Sequence, residues 1–138
     1  MEESYDVRLK TPFTMQVVGS TGCGKTWWTR NIVNCSDIMM YPPPEQKIWA
    51  YGEYQDIFET MPDVKFIHGL SEKDVSREAL GGKRTLLIID DLIEDIDSKL
   101  IGSLFSRLSH HRSLSIMFLF QVIIFDVYIV LFNDLLYK

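Results

Sequence analysis

The sequence predicts an α/β fold in which helices flank a mostly parallel β-sheet. Apolar, β-prone runs alternate along the chain with segments of helical spacing. Residues 85–89, Thr-Leu-Leu-Ile-Ile, form one continuous run, which is typical of a strand buried on both faces of a parallel sheet. The chain has 138 residues, 46% of them hydrophobic and 24% charged, so we expect one globular domain over residues 1–138.

The first half of the chain contains a strand, a glycine-rich loop, a helix and a second strand. It opens with a polar lead, residues 1–10. We expect a strand at 13–18, a helix from about 25 to 35 and a strand at 47–51. Trp28 and Ile32 fall four residues apart on one face of that helix. The three prolines at 42–44 exclude further helix because they lack N–H donors and fix φ.

The second half continues the alternation. We expect strands at 64–67, 85–89 and 114–120, and helices at 72–80 and 98–108. Ser71 with Asp74 three residues later is a weak form of the capping box, and Gly81-Gly82 would end the helix that it begins. The apolar residues of 98–108 recur at helical spacing.

Residues 114–132 form a nearly continuous apolar run, interrupted by Ser115, Gln121 and Asp126. Nineteen residues approach the ~20 that a transmembrane helix requires. Asp126, near the middle, would cost about 2.5 to 3.5 kcal/mol in a bilayer. The run is rich in β-branched and aromatic residues, and its first half fills the place of a fourth core strand. We therefore expect a buried strand rather than a membrane helix, with 122–132 adding a strand or packing poorly.

Charge and cysteine content narrow the function classes. Fourteen basic against nineteen acidic residues give a net charge of −5, so net charge does not draw the chain to DNA or anionic membranes. The two cysteines, Cys23 and Cys35, form no CxxC motif and no disulfide framework. The first residues are acidic where a secretory signal would be basic and then apolar. We expect an intracellular protein that is not secreted.

The glycine-rich loop carries the strongest motif. Its residues are Gly19, Ser20, Thr21, Gly22, Cys23, Gly24, Lys25 and Thr26. They match G-x-x-x-x-G-K-[ST], the Walker A motif of P-loop NTPases, between a predicted strand and a predicted helix. Glycines let the backbone N–H groups curl around phosphate oxygens. Lys25 would bind the β and γ phosphates of ATP, and the Thr26 hydroxyl would bind Mg²⁺.

The acidic end of the 85–89 strand resembles the second NTPase element, Walker B. Asp90 lies where a carboxylate holds Mg²⁺ beside the phosphate loop. Asp91 follows it and is our candidate general base for the attacking water, with Glu94 as the alternative. We interpret Asp95 and Asp97 as a solvated acidic turn before a helix.

Three further residues have two open interpretations each. Gln121 follows a strand, so it either contacts the γ-phosphate or the attacking water, or is a polar strand end. Arg112, in the segment Ser109-His-His-Arg, either reaches a neighbouring subunit's phosphate as an arginine finger or lies in a solvated basic loop. Trp27 most simply packs on its helix, and the alternative is stacking on a base. Trp28 should face the sheet.

Several blocks of this sequence resemble the poxvirus-type DNA-packaging ATPases of the FtsK/HerA group, with the versions of Polinton (Maverick) transposable elements and adintovirus-like viruses as the most similar. The blocks are Pro12-Phe13 leading into the phosphate loop, Pro-Pro-Pro-Glu-Gln-Lys-Ile-Trp-Ala-Tyr-Gly-Glu-Tyr-Gln at 42–55, Leu-Leu-Ile-Ile-Asp-Asp-Leu at 86–92, Ser-His-His-Arg at 109–112 and Phe120-Gln121. The resemblance covers residues 11–121, the expected ATPase core. Residues 122–138 diverge from it, so the fold would be incomplete at its carboxyl end.

The resemblance implies a RecA-like sheet and a motor that hydrolyses ATP to move double-stranded DNA into a capsid. It implies a homo-oligomeric ring, a capsid or portal partner, and a location in the nucleus or at a viral assembly site. Gln121 would be a sensor, and Lys25, Asp91 and Arg112 would be catalytic. Two alternatives remain: an inactive nucleotide-binding fragment of such a gene, and a small P-loop kinase. The guanine motif N-K-x-D of GTPases does not occur in the sequence.

Overall fold

The computed structural model describes residues 4–20, 22–92, 95–108, 113–121 and 128–132, with backbone alone for 107, 108 and 128–132. The elements in chain order are β1 (Leu9–Lys10), β2 (Thr14–Gly19), α1 (Lys25–Asn34), α2 (Ser36–Met39), β3 (Met40–Tyr41), β4 (Gln46–Tyr51), a first 3₁₀ helix (Asp56–Thr60), β5 (Val64–His68), a second 3₁₀ helix (Glu72–Val75), α3 (Arg77–Leu80), β6 (Thr85–Asp90), α4 (Ser98–Ser103), a π-helical turn (Leu104–Leu108), β7 (Leu114–Gln121) and β8 (Tyr128–Phe132).

The main sheet has the strand order β5-β4-β6-β7-β2-β8. The first five strands are mutually parallel, and β8 pairs antiparallel with β2. The predicted α/β class is confirmed as a five-stranded parallel sheet flanked by helices, an architecture compatible with a RecA-like fold. Because the five strands run in one direction, all their carboxyl ends lie at one edge of the sheet. A separate two-stranded parallel sheet joins β1 to β3.

Each face of the sheet has its own apolar core, because successive side chains of a strand point to opposite faces. On β6, Leu86 and Ile88 belong to the core between the sheet and α1, and we call this side of the sheet the α1 face. Leu87 and Ile89 belong to the core on the opposite side, which we call the α4 face. The α1 face is packed by residues of α1 and the first 3₁₀ helix, among them Ile32, Val33 and Phe58. The α4 face is packed by Val75, Leu80, Leu100 and Leu104.

Two predicted helices are wrong in detail. The helix predicted at 72–80 is divided by Ser76, whose backbone is extended with φ −66° and ψ 158°. The Ser76 Oγ accepts the Ala79 N–H at 3.2 Å and so caps α3 instead of continuing the preceding turn. The helix predicted at 98–108 is α-helical only to Ser103 and continues as a π-helical turn.

The apolar run at 114–132 is not helical in its described parts. Residues 114–121 form β7, buried from Leu114 to Leu119, which confirms the predicted strand. Residues 128–132 form β8 on the edge of β2, so the added strand is confirmed too, while 122–127 lie outside the described residues. None of the helices within the described ranges is long and apolar enough to span a bilayer.

Removing residues 122–138 should lower the stability of the domain, because β2 would lose its pairing of Thr14–Val18 with Tyr128–Phe132. At about 0.5 to 1.5 kcal/mol per hydrogen bond, we expect a loss of about 2 to 5 kcal/mol, measured by urea denaturation. Ile129→Pro and Val130→Pro provide a matched pair, because successive N–H groups of a strand point to opposite sides and only one of the two can donate to β2. The proline that removes this donor should reproduce much of the loss of stability, and the other proline should be tolerated, as on an edge strand. Equal denaturation midpoints for the full and shortened chains would contradict this role of β8.

Candidate functional site

Two glycines of the loop between β2 and α1 have left-handed backbone conformations. Gly22 and Gly24 have φ of 75° and 96°, in the left-handed region where side chains other than glycine are strained. A Cβ at either position would meet no atom within 4 Å, so conformation rather than crowding selects glycine there. Gly24 is also the N-cap of α1. Thr21 lies outside the described residues.

The start of α1 presents backbone donors to the loop. Its first intrahelical bond runs from the Trp28 N–H to the Gly24 carbonyl at 2.9 Å, so the N–H groups of Lys25, Thr26 and Trp27 have no intrahelical acceptor. The first turn contains no acidic residue. The helix dipole and these N–H groups therefore favour an anion at this end of the helix.

Lys25 is folded back over its own loop. Its Nζ donates to the Gly19 carbonyl at 2.9 Å and to the Ser20 carbonyl at 3.1 Å. The ammonium group is thus held at the loop by two neutral acceptors. A phosphate oxygen would form a stronger, charge-assisted hydrogen bond with it than either carbonyl does.

Asp90 is the last residue of β6 and is only 7% exposed. Strand alternation puts it on the α1 face, together with Leu86 and Ile88. Two donors meet at one of its oxygens: the Trp49 Nε1–H lies 3.2 Å from Asp90 Oδ2, and the Gln55 Nε2–H lies 3.3 Å from the same atom. The carboxylate is therefore fixed at the carboxyl edge of the sheet.

The pKa of Asp90 is raised to about 6, chiefly because the carboxyl is buried and in smaller part because the Asp91 carboxylate is nearby. The Trp49 hydrogen bond, the Lys25 ammonium and the Gln55 hydrogen bond act in the opposite direction. Since Lys25 belongs to the phosphate loop and Asp90 to β6, the two halves of the site interact electrostatically. A carboxyl with this pKa can hold a cation at neutral pH, where it is mostly ionised.

Asp91 has a left-handed backbone, with φ 54°. Its N–H still donates to the Leu119 carbonyl at 3.2 Å, so the β6–β7 ladder extends one step beyond Asp90 before the chain turns. Asp tolerates this conformation better than most residues because its short polar side chain can bond locally. The turn leaves Asp91 exposed to solvent. Glu94, the alternative base, lies outside the described residues.

Gln121 lies beside the phosphate loop. β7 is inserted between β2 and β6, with Gln121 opposite Gly19 and Leu119 opposite Asp90. Alternation along β7 puts Gln121 on the α1 face, as it does Leu119. Gly19, Asp90 and Gln121 therefore lie together at the carboxyl ends of their three strands, as the sequence predicted.

The predicted magnesium ligands are two oxygens, those of Asp90 and Thr26. Among the described residues, no three His, Cys, Asp or Glu side chains gather as a metal site. Mg²⁺ commonly takes one or two carboxylates and completes its shell with water and substrate phosphates. Asp90 and the Thr26 hydroxyl fit that pattern. The segment with His110, His111 and Arg112 lies outside the described residues, so its predicted role stays a prediction.

Trp49 and Gln55 are the site residues that sequence reasoning missed. Trp49 is fully buried in β4, where an indole is most simply interpreted as core. Gln55 follows the carboxyl end of β4, and ligand-binding residues of open α/β sheets lie at such ends. That rule could have identified Gln55, whereas no sequence signal identifies the Trp49 indole N–H as a donor to Asp90.

A scan of the chain against models of known protein families finds no match, and a search of curated proteins finds no similar protein.

The raised pKa of Asp90 predicts a pH-dependent stability. Between pH about 4 and 6 the folded protein holds a proton that the unfolded chain has released, so stability falls as pH rises through this interval. Each pKa unit is worth about 1.4 kcal/mol, which gives up to about 3 kcal/mol. Asp90→Asn stays neutral and keeps an acceptor for Trp49. The free energy of unfolding of Asp90→Asn should therefore exceed that of the unchanged protein by up to about 3 kcal/mol at pH 7.5 and equal it near pH 4.

Urea denaturation at both pH values measures this difference. Asp63→Asn, at an exposed turn, is the matched control and should not alter the pH dependence. An Asp90→Asn protein that is less stable at pH 7.5 would contradict the prediction, because the hydrogen bonds to the ionised carboxylate would then outweigh its burial.

Proposed function

We propose that the chain is a P-loop NTPase that binds ATP with Mg²⁺ and hydrolyses it. The observation that carries the proposal is the common position of the phosphate loop and Asp90 at one end of the sheet, set by the parallel pairing of β2, β7 and β6. A glycine-rich turn without function would require neither a buried carboxylate on a second strand nor its two hydrogen-bond donors. The sequence motif and this arrangement point to the same chemistry.

The chain's own residues divide the work of binding. The loop from Gly19 to Thr26 offers N–H groups to the phosphates, and Lys25 exchanges its bonds to two loop carbonyls for bonds to phosphate oxygen. Thr26 and Asp90 would hold Mg²⁺. That ion, when bound, offsets the negative charge of the β and γ phosphates. Trp49 and Gln55 keep Asp90 in place by occupying Oδ2.

For hydrolysis, Asp91 is the proposed general base. It accepts a proton from a water whose oxygen bonds to the γ-phosphorus while the bond to the β–γ bridging oxygen breaks, leaving ADP and phosphate. Gln121, one strand away and next to Gly19, is the proposed sensor that orients this water. Asp91 is exposed before ligand binding, so water can reach it.

A DNA-packaging role is the finer proposal and rests on the sequence resemblance. It adds double-stranded DNA, a homo-oligomeric ring and a trans-acting Arg112 to the ATPase. With a net charge of −5, DNA contacts would be local. The alternative is a fragment that binds nucleotide without turnover, which is favoured by the divergence of residues 122–138.

Lys25→Ala should weaken the binding of ATP with Mg²⁺ about tenfold to a hundredfold, because hydrogen bonds to charged groups contribute about 1.5 to 3 kcal/mol. Isothermal titration calorimetry measures it. Lys99→Ala is the matched control, since Lys99 is an exposed lysine in the first turn of α4. Equal affinities of the unchanged and Lys25→Ala proteins for ATP with Mg²⁺ would contradict the assignment of the phosphate loop.

Asp91→Asn should lower the ATP hydrolysis rate about 10²- to 10⁴-fold while sparing ATP affinity, since the amide keeps the shape and loses the proton acceptor. Phosphate release with and without duplex DNA measures the rate, and stimulation by DNA is expected of a packaging motor. Asp95→Asn, an exposed acid four residues later, should leave the rate unchanged. ATP binding without any turnover in the unchanged chain would favour the inactive fragment.

A further inference from the structure

Two adjacent tryptophans at the start of α1 have opposite environments. Trp28 packs against the apolar core of the α1 face, as predicted. Trp27 does not pack in this way: 60% of it is exposed. Tryptophan is highly buried on average in folded proteins, and the exposed ring of Trp27 is available to a ligand.

Trp27 lies in the first turn of α1, directly after the residues of the phosphate loop. It directly follows Thr26 and is the third residue of α1. Side chains of an α-helix lean toward the helix N-terminus, so the indole leans toward the end at which phosphates would bind. The side toward the following turn is occupied by Arg30, whose guanidinium carbon lies 5.8 Å from the indole ring centroid.

Arg30 is itself anchored. Its Nε donates to the Thr60 Oγ1 at 3.0 Å, and one terminal nitrogen donates to the Asn31 Oδ1 at 3.0 Å. Thr60 in turn donates to the Ile57 carbonyl at 2.6 Å. The guanidinium over the Trp27 ring is therefore held in place by its hydrogen bonds, one of them to the first 3₁₀ helix. A supported aromatic ring costs little ordering entropy when a flat ligand stacks on it.

We propose that Trp27 is the stacking platform for the nucleobase of the nucleotide whose phosphates the loop binds. This inference rests on the proposed function and adds the subsite for the base. Stacking on an indole accepts every base because each has a π-face, so the site should discriminate weakly between adenine and guanine. The platform should distinguish nucleoside triphosphates from inorganic tripolyphosphate, which has no base.

The test compares ATP with inorganic tripolyphosphate, both with Mg²⁺, by calorimetry on the full chain. Trp27→Ala should weaken ATP binding about tenfold to a hundredfold, equivalent to about 1.4 to 2.8 kcal/mol, and leave tripolyphosphate binding unchanged. Trp27→Phe keeps a ring and should retain most of the ATP affinity. Lys25→Ala should weaken both ligands.

Tyr41→Ala is the matched control. Tyr41 is also an exposed aromatic residue, at 53%, with an arginine over its ring, since the Arg8 guanidinium carbon lies 4.4 Å from the ring centroid. It belongs to β3 of the small sheet, and its loss should change neither affinity. Circular dichroism of each variant establishes that it folds, and Trp27→Phe keeps the test valid if Trp27→Ala does not.

The outcomes separate the two proposals. Binding of both ligands with the same affinity ratio in the unchanged and Trp27→Ala proteins would overturn the platform and leave the phosphate loop intact. Loss of single-stranded DNA binding on Trp27→Ala, with that ratio unchanged, would also overturn it, since the indole would then stack on DNA. Failure of the unchanged protein to bind either ligand would refute the nucleotide site, and the platform with it.

Discussion

The parallel pairing of β6, β7 and β2 is the constraint on which the site depends. It brings Asp90, Gln121 and the start of the phosphate loop to one edge, although the first and last of these are separated by some seventy positions of sequence. No side-chain contact among the three is needed to achieve this, because backbone ladders set the positions. The register also sets the faces: Asp90 and Gln121 both fall on the α1 face, where α1 begins with the loop. A register slip of one residue in β6 would turn Asp90 to the α4 face and separate it from Lys25.

Two residues of the candidate site, Asp90 and Asp91, reduce the stability of the folded protein locally. Burying a carboxylate disfavours its charged form, and the raised pKa of Asp90 measures that cost. The left-handed backbone of Asp91 is a second local cost. Both lie at the end of a strand that is buried throughout, so the apolar core of two faces offsets them. Both costs lie at the carboxyl ends of the strands, while the remainder of β6 is a regular buried strand.

The sequence predicted the parts of this structure that depend on local pattern. The phosphate loop is contiguous, and the continuous apolar run of β6 identified Asp90 as its terminus. The contact of Trp49 with Asp90 was not predictable in the same way, because it requires the β4–β6 register that places Trp49 opposite Ile88 and Tyr51 opposite Asp90. The break at Ser76 was missed because its hydroxyl competes with the helix by capping the next turn, a local choice that apolar spacing does not record.

Under the proposed function, the charges at the site determine the form in which ATP and Mg²⁺ would bind. Lys25 is bonded to neutral carbonyls, and two carboxylates, Asp90 and Asp91, lie at the adjacent strand end. A triphosphate alone would gain the Lys25 ammonium and the helix dipole but would also approach these carboxylates, which repel it. A divalent cation alone would meet a carboxyl whose Oδ2 is already committed to Trp49 and Gln55. Each ligand removes the obstacle to the other, since the cation offsets the repulsion and the phosphates complete the cation's ligands. Under the proposed function, binding of the pre-formed complex of nucleotide and Mg²⁺ is therefore favoured over stepwise binding.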